Sequence, residues 1–171
     1  MPLRWMLNVK GDHPEKLPAL DTTGGLRPVA VPPFTDARNN PRKIGEDPDP
    51  KPPLPVYTDD DVPKFVHDAV SAQLRTAGID VAETDADRTL KIQLLQFWTT
   101  GHRSYRADVR LRCSLVDEAG RELWSGLVGG VGENYGRAHS PANYNETLSN
   151  AVFDATATLL SQPGFLEALR K

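Results

Sequence analysis

The chain has 171 residues, with 20 Lys and Arg against 23 Asp and Glu, a net charge of -3 and a pI near 5.8. That balance gives no bulk electrostatic case for nucleic acid, whose binders present a basic face. The length suits one domain with a sizeable core, and the longest apolar runs fall far short of the ~20 residues a membrane-spanning helix needs.

Residues 1–25 read as an N-terminal arm or tether. Trp5, Met6, Leu7 and Val9 suit a short strand or a packed arm, while Gly11, Pro14, Pro18, Gly24 and Gly25 mark linker. Met1 opens into Pro-Leu-Arg-Trp, without the charged n-region and apolar h-region of a secretory signal. Two expectations follow: a cytosolic protein, or a mature domain presented without its leader and lipid-bearing cysteine.

Residues 26–171 read as a single domain. An apolar strand, Val29 to Val31, ends at Pro32 and Pro33, neither of which can donate a ladder hydrogen bond. Asp36 and Arg38 follow in the strand exit, spaced to brace it through a charge-assisted hydrogen bond. From 39 to 60, prolines interleave with Glu46, Asp47, Asp49, Asp59 and Asp60. Such a stretch is expected as a long, solvated surface loop of polyproline character. It either binds a partner or is a plain insertion.

A helix is predicted from Asp61, with Asp60 or Asp61 as N-cap, Pro63 in the first turn, an apolar stripe from Val62 to Ala77, and Gly78 ending it. Ile79 to Val81 then suits a short strand. From Thr89 the apolar period becomes two, with a phase break at Leu95 to Trp98 that predicts a bulge. Gly101 to Ser104 turns the chain into a long strand, in which Tyr105, Ala107, Val109, Leu111, Cys113 and Leu115 alternate with Arg106, Asp108, Arg110, Arg112 and Ser114. Asp117 to Gly120 makes a second hairpin turn, and Leu123 to Val131 returns, its glycines loosening the strand. A last helix starts after Ser140-Pro141 or Asn143 and stops at Gln162-Pro163-Gly164, and Phe165, Leu166 and Leu169 suggest one further short turn of helix. The order predicts an α+β fold: one curved mixed or antiparallel sheet of four to five strands with two helices on one face.

The run Val31-Pro-Pro-Phe-Thr-Asp36-Ala-Arg38, followed six residues later by Ile44-Gly45, resembles the N-terminal signature of the YajG-type lipoproteins of Gram-negative bacteria. The later order of elements is similar too, over roughly residues 26–162. The resemblance implies a periplasmic domain, anchored to the outer membrane by a lipidated cysteine that this chain lacks, with no established enzymatic activity. It makes Asp36, Arg38 and Gly45 a structural motif.

The residues themselves propose no catalytic, cofactor or metal site. His13, His67, His102 and His139 are scattered, without metal-ligand spacing or a cysteine cluster. Cys113, the one cysteine, reads as a small apolar core group. The glycines at 126, 129, 130 and 132 lack the lysine and context of a phosphate loop. The polar loop Glu133 to His139 suits either ligand contact or plain connection. The stronger candidate is the polar face of the central strand. There Arg106, Arg110 and Arg112 suit an acidic protein, a lipid head group or a cell-wall carboxylate, unless they only pair with carboxylates across strands. The leading expectation is therefore a non-enzymatic envelope domain that binds such a partner. The alternatives are an auxiliary subunit of an envelope transport or assembly complex, and a hydrolase using Asp36, His102 or His139.

Overall fold

In a computed structural model, the protein is described over residues 1–7, 17–21, 25–82, 86–101, 104–136 and 140–171. Among these, eight strands form one mixed sheet, and three helices accompany it. The expected class holds, but the expectation of four to five strands and two helices undercounts both.

The sheet is built on a meander of three 14-residue strands: β6 (Arg88–Gly101), β7 (Ser104–Asp117) and β8 (Glu122–Tyr135). They pair antiparallel along their whole length. The far edge of β6 is lined by one interrupted strand. β1 (Val29–Ala30), β2 (Thr35–Asp36) and β3 (Lys43–Asp47) each run parallel to β6, opposite Arg88, Gln93 and Thr99 in turn. Pro32 and Pro33 explain the first interruption, because they break the ladder without turning the chain away. Two short strands complete the sheet: β4 (Leu54–Tyr57) pairs antiparallel with β3, and β5 (Val81–Ala82) runs parallel to β1.

The 39–60 segment is therefore not only a surface loop, since it contains the β3–β4 hairpin. Ile44 is fully buried and anchors β3 to the core, which outweighs the local proline content. The bulge foreseen in β6 falls between Leu94 and Gln96. β8 is longer than expected and takes in Glu133 to Tyr135. Of the remaining polar loop, residues 137–139 lie outside the described residues, as do His102 and Arg103 of the first hairpin turn.

α1 (Val62–Thr76) is capped by Asp61, whose carboxylate accepts from the Lys64 amide, and Gly78 follows it at φ 91°. That left-handed conformation suits glycine. α2 (Pro141–Leu160) begins at Ser140, and α3 (Pro163–Arg170) follows directly. α2 packs across β8, β7 and β6. The alternation of β7 then sorts its side chains: Tyr105, Ala107, Val109, Leu111, Cys113 and Leu115 are buried beneath the helix, and the intervening residues face away.

The β8 glycines serve a purpose other than loosening the strand. A Cβ on Gly130 would sit 2.1 Å from the Ala151 carbonyl oxygen and 2.2 Å from the Ala155 nitrogen, and one on Gly132 would sit 2.0 Å from the Thr147 carbonyl oxygen. Thr147, Ala151 and Ala155 are successive turns of α2, all fully buried. Helix and strand therefore meet backbone against backbone, and the glycines make that approach sterically feasible.

The N-terminal arm docks on the helical side. The amides of Arg4 and Met6 donate to Asn145 Oδ1 and Ser149 Oγ, both at 3.0 Å, and Asn145 Nδ2 returns a bond to the Pro2 carbonyl. Trp5 packs on Phe65, with ring centroids 6.1 Å apart. Val9 of the expected arm lies outside the described residues.

Candidate functional site: the open face of the sheet

With all three helices on one side, the other face of β6, β7 and β8 has no helix over it. Cross-strand register arranges it in rows. Thr100, Arg106 and Glu133 form one row, Trp98, Asp108 and Val131 the next, then Gln96, Arg110 and Gly129, then Gln93, Arg112 and Leu127, then Lys91, Ser114 and Ser125. Arg106, Arg110 and Arg112 are all exposed on this face.

The three arginines are not electrically equivalent. Arg106 bonds Glu133 at 2.9 Å and approaches Asp108 at 3.4 Å, so its charge is matched across strands. Arg112 donates only to the neutral Gln93, at 3.1 Å. Arg110 and Lys91 engage no partner among the described residues. One end of the face is neutralised, while the other carries three cations that no carboxylate pairs among the described residues. Residue alternation placed these side chains together; which of them were already paired depended on the register with β8, for which the sequence carried no signal.

Sequence reasoning missed an exposed apolar side chain beside the cations: Leu127, 68% exposed, stands opposite Arg112, while Tyr135, 83% exposed, lies at the other end of the same face of β8, beyond the Arg106–Glu133 row. Since β8 pairs only with β7, it is an edge strand, which leaves unpaired backbone groups to be managed. The Val131 amide on that edge is taken up by Asp154 of α2 at 2.9 Å, which blocks continuous strand addition there.

The Asp36–Arg38–Gly45 motif is architectural. Arg38 grips Asp36 through Nε at 2.9 Å and Nη2 at 2.7 Å, and Nη2 also reaches the Pro41 carbonyl. The pair thus clamps the gap between β2 and β3, with the Arg38 side chain only 6% exposed. Burial alone would raise the Asp36 pKa, but the hydrogen bonds from the Arg38 side chain and backbone, with its charge, hold it below the usual carboxylate value. Gly45 has an equally plain reason: a Cβ there would meet the Thr99 carbonyl oxygen at 2.1 Å.

Neither metal nor acid–base chemistry assembles among the described residues. No group of three His, Cys, Asp or Glu side chains there could hold a metal ion. His67 bonds the Val31 carbonyl and Asp68, which tethers α1 to the strand exit. His102 and His139 of the hydrolase alternative lie outside the described residues, with His13, and Asp36 is engaged by Arg38. No described helix is long and apolar enough to cross a membrane.

Cys113 is fully buried under α2, and burial pushes its thiol up to about 12. Because the thiolate is the reactive form, native protein at pH 8 is expected to resist a thiol reagent such as 5,5′-dithiobis(2-nitrobenzoate). Denaturant should release one fast-reacting equivalent. Rapid labelling of the native fold would contradict the core assignment.

No family model matches the chain, and no curated protein matches it. Among solved structures, protein XCC0632 from Xanthomonas campestris, a DUF330 protein, aligns at 16% identity over 98% of this chain and 93% of its own, with a TM-score of 0.61. The two share a fold. Looser likenesses include PelC from Paraburkholderia phytofirmans, at 18% identity over 85% of this chain and 92% of its own with a TM-score of 0.48. Lipoprotein GNA1162 from Neisseria meningitidis aligns at 15% identity over 66% and 88%, with a TM-score of 0.41. At those scores they carry no argument. The XCC0632 likeness shows the fold alone and does not single out the YajG type.

Proposed function

We propose that this chain is a non-enzymatic domain of a Gram-negative cell envelope, periplasmic and held to the outer membrane in its native form by a lipid anchor. It acts by presenting the open face of its sheet to a protein, lipid or cell-wall partner. The observation that carries this reading is the uncovered sheet face on which Lys91, Arg110 and Arg112 lack carboxylate partners among the described residues. A sheet face that served only the fold would be expected to match charges across strands, as Arg106 does. The resemblance of the Val31 to Gly45 segment to YajG-type lipoproteins supplies the envelope setting, and the fold shared with XCC0632 is compatible with it.

The test is metabolic labelling of the full-length gene product with an alkyne fatty acid, followed by membrane fractionation. A labelled product in the outer-membrane fraction supports the reading, and an unlabelled cytosolic product overturns it. The exposed Leu127 beside Arg112, with the exposed Tyr135 at the other end of the same face, favours a second reading, an auxiliary subunit of an envelope transport or assembly complex, since exposed apolar side chains suit lasting protein contacts. It differs by requiring a stable stoichiometric complex in mild detergent extracts.

A further inference from the structure

Two of these cations, Lys91 and Arg112, line a trough of about 620 Å³ that crosses the open face, within the roughly 300–1,000 Å³ range of small-molecule sites. Pro32 and Pro33, beside the β6 edge, flank one end, and Leu127 of β8 flanks the other. Between them lie Lys91 and Gln93 of β6 and Arg112 of β7. Lys91 and Arg112 are diagonal neighbours across the β6–β7 ladder, close enough for two long side chains to converge on one group. Glu122 is the one carboxylate in the lining, and its Oε1 accepts from the Ser125 hydroxyl at 2.7 Å.

This combination restricts the occupant. A purely ionic ligand would satisfy Lys91 and Arg112 but leave Leu127 and the two prolines in water. A purely apolar one would cover those residues and desolvate two cations without a counter-charge, which is costly. An anionic head joined to a hydrocarbon chain meets both demands. Gln93 already occupies one Nη of Arg112, so the remaining guanidinium donors and the Lys91 ammonium suit a head with several acceptor oxygens.

We infer that the trough binds a single-chain lipid with a phosphate head, the phosphate between Lys91 and Arg112 and the chain along Leu127 and Pro32–Pro33. This rests on the open face being the working surface of the domain, and it names the ligand.

The experiment titrates dodecyl phosphate, below its micelle concentration, into the intact chain, read by calorimetry and by amide NMR shifts. Saturable one-to-one binding is expected, with shifts centred on residues 34–35, 91–93, 112–114 and 125–127. The K91E/R112E double variant should bind at least about tenfold more weakly. Leu127→Asp, at an exposed position that the fold does not need, should also weaken binding several-fold. Arg106→Glu, on the same face but outside the trough, should leave it unchanged. Inorganic phosphate and a hexaglutamate peptide are the comparison ligands. Equal affinity for inorganic phosphate would mark a simple ion site, and tighter binding of the peptide would mark a protein interface. Either result, or the absence of saturable binding, overturns the lipid assignment. None of these touches the envelope reading, which stands or falls on acylation and fractionation of the full-length product.

Discussion

Replacing Gly130 with alanine is expected to destabilise the domain by about 3 kcal/mol or more, at the upper end of what overpacking costs. The new methyl would lie 2.1 Å from the Ala151 carbonyl oxygen, 2.2 Å from the Ala155 nitrogen and 2.8 Å from its Cα. All three are backbone atoms of α2, so no side chain can rotate away to relieve the overlap. Either the helix lifts from β8 or the strand twists out, and both expose core. Gly129, its neighbour, is the internal control: a Cβ there would meet only the Val109 carbonyl oxygen at 3.6 Å, an ordinary contact on the open face. Urea titrations of Gly130→Ala and Gly129→Ala should therefore differ sharply in midpoint. Similar midpoints would refute the backbone-on-backbone packing of α2 against β8.

Asp36→Ala is expected to cost about 2 kcal/mol, in the range for losing hydrogen bonds to a charged group. The Arg38 side chain, 6% exposed, would lose its carboxylate, and its Nη1 already lacks a hydrogen-bond partner among the described residues. The pH dependence has a definite sign. A carboxylate whose folded pKa is depressed contributes stability that is fully present above its unfolded value, near 4, and is lost as pH falls through the folded value. The stability difference between the wild type and Asp36→Asn should thus shrink steadily from pH 5 downward, read by thermal or urea unfolding. A difference independent of pH would show that the cost comes from packing and not from the charge on Asp36.

These two sites differ in how far the sequence foretold them. The spacing of Asp36 and Arg38 announced a local brace, because a pair two residues apart can meet without long-range help. The Gly130 contact was invisible, because nothing in β8 indicates that a helix beginning at Pro141 returns to lie on it. The glycine run accordingly suggested looseness, where the fold uses it to bring the backbones of β8 and α2 together. The 39–60 segment shows the same limit. Its prolines and acids pointed to a solvated loop, yet Ile44, with Gly45 seated against Thr99, carries β3 onto the edge of β6. Local propensity yields there to a few tertiary contacts.

The open face divides along the same line. Alternation in β7 put Arg106, Arg110 and Arg112 on one side of the strand, as a period of two requires. It could not reveal that Glu133 would reach Arg106 while Arg110 and Lys91 found no partner among the described residues, or that Leu127 would stand beside Arg112. Those facts depend on the register of three strands, and register is set by pairing between residues far apart in the chain.

The amino-acid sequence by itself determined the alternating strands, the capped helices, the Asp36–Arg38 brace and the side of β7 on which the arginines stand, since each follows from interactions within a few residues. The tertiary structure decided that one interrupted strand lines β6, that α2 rests on glycine, and that Lys91 and Arg112 line a trough bordered by Leu127 and two prolines. Those outcomes arise from contacts between distant segments, whose energies no local pattern records.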